Sequence, residues 1–158
     1  MFNKILVCLD GSKLSEAIMP FVVELAETFG SKVLLMNVFI VPTLLNGLGK
    51  AEINPNWSIE ISEYHKDAAS SLNFIAGPLL ERGLDVECII VEGAVEESII
   101  ACAKAYKVGL IAMITNNRGI LSKLVQGSTT NFVIKKLGIP ILLLNPKASA
   151  FIAETQSL

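Results

Sequence analysis

Residues 4–12 read KILVCLDGS. Five consecutive apolar residues, Ile5–Leu9, run into an aspartate, a glycine and a serine. A run of this length, rich in branched side chains and stopped by turn residues, suits a strand covered on both faces rather than one that alternates between core and water. Four further runs share the pattern: Val33–Val38, Val86–Val91, Leu110–Thr115 and Ile141–Leu144. Each is bounded by Gly, Asp, Asn or Pro.

Between the runs the spacing changes to a helical period. Ile18, Val22, Leu25 and Phe29 form one stripe, stopped by Gly30. Ile61, Ala68, Leu72, Ile75 and Leu79 form a longer one that ends near Gly83. Val95, Ile99, Cys102 and Tyr106 form a third. Phe132, Val133 and Lys136 fall on a shorter fourth helix, closed by Gly138–Pro140. Strict alternation of strand and helix implies right-handed crossovers and an α/β fold: an open, parallel, five-stranded sheet with helices on both faces.

The whole chain of 158 residues fits one such domain, with 52% apolar residues to fill its core. Two stretches fall outside the pattern. Val41–Trp57 carries two prolines and two glycines and reads as a long loop, of the kind that covers a site or moves. Trp57 reads as an anchor tethering that loop, or as a lid over a ligand. Residues 147–158 follow Pro146 as a C-terminal tail, leaving 1–146 as the domain.

Composition excludes several function classes. A net charge of −2 does not supply the basic patch that nucleic-acid binding requires. The longest apolar runs are too short to span a bilayer, and the N-terminal run ends at Asp10, too soon for a signal peptide. Cys8, Cys88 and Cys102 show no metal-ligand spacing and read as reduced core thiols of a cytoplasmic protein. His65, the one histidine, reads as half-buried packing. Neither a GxxxxGK[ST] loop nor a GxGxxG fingerprint is present.

In open α/β sheets ligands bind beyond the carboxyl ends of the strands, where the strand order reverses. Asp10 leaves the first strand at that edge. Its carboxylate either caps or turns the chain into the next helix, or hydrogen-bonds a ligand's sugar hydroxyls. Ser12 and Ser15 read as caps and turn residues, since no base stands near to activate a hydroxyl. The second candidate, Thr115–Thr130, reads TNNRGILSKLVQGSTT. Gly127, Ser128, Thr129 and Thr130 stand at a helix start, where free amides and the helix dipole attract anions. Arg118 and Lys123 add positive charge. The same residues also suit an ordinary capped helix entry. Asp85, Glu87 and Glu92 are expected at strand ends or in solvent. Glu96 and Glu97 are expected in the first turn of the third helix, where carboxylates complement the dipole.

Three segments carry a family resemblance. KILVCLDGSKLSEAIM (4–19), VEGAVEESIIACAKAYKVGLIAM (91–113) and RGILSKLVQGSTTNFVIKKLGIPILLLNP (118–146) resemble, in order and spacing, the signatures of the universal stress protein family. The resemblance covers roughly residues 2–146. It implies strand order 3-2-1-4-5, a Rossmann-like sandwich of the adenine-nucleotide alpha-hydrolase type, and a cytoplasmic role in stress tolerance. It also implies a homodimer, made by pairing the apolar edge strand Ile141–Leu144 with its copy.

One branch of that family binds ATP through G-x2-G-x9-G-[ST]. On that pattern the resemblance implies ATP or AMP as ligand, with Mg2+ accompanying ATP. Asp10 would meet the ribose or adenine, and Val38 and Met113 would line the adenine pocket. Thr115, Asn117, Gly127, Ser128, Thr129 and Thr130 would hold the rest of the nucleotide. Any hydrolysis would be slow, because no general base or metal cluster is evident. The spacing is intact, but Ile114 and Asn117 replace the two leading glycines. A β-branched residue avoids positive φ, and Ile114 is expected to fill space near the ribose. Asparagine tolerates the left-handed region better. The departure leaves open weaker ATP binding, a smaller nucleotide, or a dimer of the same family that binds none and works through protein interactions. A different flavodoxin-like module, a flavoprotein subunit or a small hydrolase, is a third reading.

Overall fold

A computed structural model describes residues 2–39, 57–114 and 136–144. The central strand is β1 (Lys4–Leu9). It pairs in parallel with β2 (Lys32–Phe39) on one side, Ile5 opposite Val33, and with β4 (Leu110–Ile114) on the other, Ile5 opposite Leu110. β3 (Val86–Glu92) extends the sheet beyond β2, and β5 (Ile141–Leu144) beyond β4. The order is β3-β2-β1-β4-β5, all parallel. The chain thus moves outward from β1 to β3, then crosses back to β4. The reversal between β1 and β4 is the switch point of the sheet.

That path decides which face each helix covers. α2 (Met19–Phe29) and α3 (Trp57–Glu81) lie on one face, and α4 (Val95–Tyr106) on the other. Right-handed crossovers require this, because α4 belongs to the connection that runs back across the sheet. The alternation of β1 feeds two cores. Ile5, Val7 and Leu9 pack against α2 and α3, with Val22, Ala26 and Leu72. Leu6 and Cys8 pack against α4, with Ile99, Cys102 and Ala103. All five are buried, so the unbroken apolar run of the central strand is the signature of its two covered faces.

The structure differs from the sequence reading in three local places. The stripe from Ile18 to Phe29 is not one simple helix entry. A single turn, α1 (Lys13–Glu16), comes first, and Pro20 then stands in the first turn of α2, where its missing N–H leaves no bond unmade. Phe29 leaves the buried stripe: it is 52% exposed and packs edge-on with Phe2, ring centroids 5.3 Å apart. Finally, Trp57 is the first residue of α3 rather than part of the preceding loop. The rest of that expected loop, Phe132 and Val133 of the expected fourth helix, and the tail lie outside the described residues; Lys136, the third residue of that expected helix, is helical.

Other expectations hold. Asp85 and Glu87 sit at the start of β3, where Lys32 Nζ reaches both, at 3.6 and 2.9 Å, and the Tyr106 hydroxyl donates to Glu87 at 2.8 Å. Glu96 and Glu97 occupy the first turn of α4. His65 is half-buried, edge-on to Phe39 at 4.6 Å. The three cysteines are free thiols. Burial pushes the Cys8 thiol up to about 12, with Cys102 nearby adding to the shift. A thiol this reluctant to ionise is a poor nucleophile. Iodoacetamide at neutral pH is therefore expected to spare Cys8 in the native protein and to label it once urea unfolds the chain, as peptide mass spectrometry would show.

Two helix ends make a matched pair. α2 closes on Gly30 at φ 62°, and α4 closes on Lys107 at φ 54°. The left-handed cap costs a glycine nothing and an L side chain about 1 kcal/mol. Lys107→Gly is therefore expected to stabilise the fold by about 0.5–1 kcal/mol, less the entropy that glycine adds to the unfolded chain. A higher urea midpoint with an unchanged slope would bear this out.

Candidate functional site

At the carboxyl end of β1 the chain turns sharply through Asp10, Gly11 and Ser12. Gly11 takes φ 81°, a left-handed conformation that glycine accepts freely. Asp10 does not cap the helix itself. Its Oδ1 accepts from the Ser12 amide at 3.0 Å and from the Ser12 hydroxyl at 2.6 Å. Ser12 is the N-cap of α1, its Oγ accepting from the Ser15 amide at 3.1 Å. The Ser15 hydroxyl donates back to the Ser12 carbonyl at 2.8 Å. The two serines are thus the cap and turn residues expected of them, and the aspartate organises the turn that carries them.

Partial burial works to raise the Asp10 pKa. The hydrogen bonds from Ser12 and Ser15 and from the turn's amides outweigh it, and the carboxyl lies below its ordinary value. Asp10 is therefore a carboxylate at neutral pH, half-buried at the edge of the sheet. Both hydrogen bonds from Ser12 fall on Oδ1, and Oδ2 accepts from neither.

On the α4 side of the sheet Asp10 rims a narrow apolar slot of about 30 Å3, walled by Cys8, Met36, Val38, Val95 and Ile99. Asp10 and Val38 are therefore brought together, as the sequence reading expects. Met113 is on the same face, in the same core cluster, but it is 2% exposed and does not line the slot. Thr115, Asn117, Gly127, Ser128, Thr129 and Thr130 lie outside the described residues, as do Arg118 and Lys123.

Ile114 departs from expectation. Its side chain is 1% exposed and belongs to the other core, with Leu9, Ala112 and Leu144 on the side of α2 and α3. It is an ordinary strand residue, and Lys107 is the one non-glycine with positive φ among the described residues. The slot beside Asp10 lies on the opposite face of the sheet, so Ile114 does not narrow it. The reason is the period of two along a strand: Met113 points to the α4 side, and its neighbour must point away.

The sequence reading missed Val95 and Ile99 as walls, because the helix stripe marked them only as core. It also missed Asn37, which is 4% exposed. The signal was present: Asn37 is the one polar residue inside the run Val33–Val38. Its Nδ2 donates to the Leu9 carbonyl at 3.0 Å, holding the ends of β1 and β2 together.

The description of the universal stress protein family matches residues 1–145. The chain belongs to the universal stress protein family. Among relatives, it is 27% identical to universal stress protein MJ0577 of Methanocaldococcus jannaschii, over 94% of this chain and 98% of that one. It is 28% identical to universal stress protein YxiE of Bacillus subtilis, over 90% and 99%. Solved universal stress proteins share the fold. One from Burkholderia pseudomallei superposes with a TM-score of 0.67 at 20% identity, covering 90% of this chain and 96% of the other. A universal stress protein of Arabidopsis thaliana with AMP bound gives 0.60 at 16% identity, covering 90% and 91%. Another, in complex with cAMP, gives 0.59 at 16%, covering 92% and 98%. The five-stranded order 3-2-1-4-5 that the family resemblance implies is the order this universal stress protein adopts.

Proposed function

We propose that this universal stress protein is a nucleotide-binding module that takes an adenine nucleotide, ATP or AMP, at the carboxyl ends of β1 and β2. The observation that carries the reading is the juxtaposition of the ionised Asp10 with the apolar slot under Val38 and Val95. A flat, weakly polar base suits apolar walls, and ribose hydroxyls or an exocyclic amine suit a carboxylate. The AMP and cAMP carried by the two solved family members support the same ligand class.

In this reading Val38 and Val95 flank the base and Asp10 Oδ2 accepts from the ribose. Thr115, Asn117 and Gly127–Thr130 supply amides and hydroxyls to the phosphates, with Mg2+ accompanying ATP. A slot of about 30 Å3 holds little more than a water. It receives the edge of a ring, and Val38 or Val95 must give way for the whole base. The chain forms a homodimer through the outer edge of β5, where Leu143 is 39% exposed.

Calorimetric titration with ATP, ADP, AMP and cAMP, beside native mass spectrometry of freshly purified protein, tests both parts. Saturable binding of an adenine nucleotide and a two-subunit mass are the expected results. The small slot favours a second reading, a family member that binds no nucleotide and works as an interaction dimer. A dimer showing no heat with any of the four at millimolar concentration would select it.

A further inference from the structure

On the other face of the sheet from the nucleotide slot lies a larger cleft, about 330 Å3, between the turn after β1 and the side of α3. We propose that this cleft is a second binding site, for a small aliphatic ammonium or guanidinium compound. Its volume is at the lower end of small-molecule sites.

Three carboxylates line it, Asp10, Glu16 and Asp67, and among the described residues no Lys, Arg or His does. Glu16 is engaged by the exposed Lys13 at 3.0 Å, so Asp10 and Asp67 are the acids left to a ligand. Acids on a surface are not by themselves a site. The deciding observation is at the bottom of the cleft. Asn37 is buried and lines the same space, and its Oδ1 has no hydrogen-bond partner among the described residues. Its Nδ2 is committed to the Leu9 carbonyl, and that bond fixes which end of the amide faces the other way. A buried carbonyl oxygen without a donor is unfavourable. It therefore calls for a donor from whatever enters.

The walls define the rest of the ligand. α3 presents Tyr64, Asp67, Ser71 and Ile75 at helical spacing to the cleft. Leu9, Leu72 and Ile75 make an apolar floor suited to a hydrocarbon stem rather than to a hydrated ion. Among the described residues no three acids, imidazoles or thiols converge to hold a metal. Tyr64, leaning on Phe39 with ring centroids 4.9 Å apart, offers an aromatic face at the rim, where a cation gains further. An N–H-rich cation on a short aliphatic chain satisfies all of these at once: donors for Asn37 Oδ1, charge for Asp10 and Asp67, methylenes for the floor.

The test uses the full chain and calorimetry with agmatine and cadaverine. Pentane-1,5-diol serves as the uncharged match and magnesium chloride as the bare ion. Both amines are expected to bind saturably at millimolar or lower concentration, the diol and Mg2+ not. Asp67→Asn, isosteric and on the exposed side of α3, should weaken binding roughly three- to ten-fold. Ser71→Leu should abolish it by filling the cleft. Equal binding of the diol, the same heat from Mg2+, indifference to Asp67→Asn, or no heat from either amine would each overturn the proposal. Asp67 and Ser71 do not wall the nucleotide slot, so titrating the same variants with AMP separates failure here from failure of the nucleotide reading.

Discussion

Ile114→Gly is expected to lower the stability of the fold by about 3–5 kcal/mol and to leave nucleotide affinity unchanged. Deleting a buried isoleucine down to alanine costs about 2–5 kcal/mol in transfer and cavity terms. Glycine adds about 0.5–1 kcal/mol of backbone entropy. Ile114 is in the worst position for such a loss: it is fully buried among Leu9, Ala112 and Leu144, on a strand held by β1 and β5. Natural domains have roughly 5–15 kcal/mol to lose, so the variant should melt roughly 10 °C lower and unfold at a much reduced urea concentration. Ile114→Val, which removes one methyl group, should cost about 1 kcal/mol. The motif alone suggests the opposite outcome, a glycine that reopens the ATP site. Tighter nucleotide binding at unchanged stability would mean that the side chain fills the ligand's space, and would overturn the face assigned to it here.

Ile114 also marks where the sequence stopped being legible. The strands were readable because both faces of the sheet are covered, so each strand is an unbroken apolar run. Alternation and crossover handedness gave a parallel sheet covered on both faces; its strand order came from the family resemblance alone. What a motif cannot convey is the direction of a side chain. The family motif expects glycine at position 114; only the strand's period of two says that the side chain points away from the slot beside Asp10. Asp10 was legible as a candidate, for the turn or for a ligand, because it directly follows the central strand and precedes a helix. Asn37 was legible as an exception within its run, but its role depends on α3 packing opposite it, and the stripe on α3 reads equally well as plain core. Tyr64 and Asp67 carried no signal at all, since polar residues on a helix usually face water.

Asp10 should separate a structural from a ligand-binding role when its two oxygens are removed in turn. Asp10→Ala deletes the acceptor for the Ser12 amide and hydroxyl, leaves the cap of α1 loosely held, and is expected to cost about 1–2 kcal/mol. It also removes the ligand's acceptor, and AMP or ATP affinity should fall at least about tenfold, the usual effect of a lost charge-assisted hydrogen bond. Asp10→Asn keeps an oxygen for Ser12 while replacing Oδ2 and the charge with an amide donor. It should hold most of the stability yet lose affinity nearly as far as alanine does. The pH dependence supplies the sign. The Asp10 pKa is lower in the folded protein than its ordinary 3.8. Its contribution to stability is thus fully present above that value and is lost as pH falls through the folded pKa. Acid titration of the native protein should therefore show a loss below about pH 4 that Asp10→Asn flattens. An Asp10→Asn protein that binds nucleotide as tightly as the parent would show the carboxylate to be a turn-former only, and the slot beside it would then need another polar partner for its base.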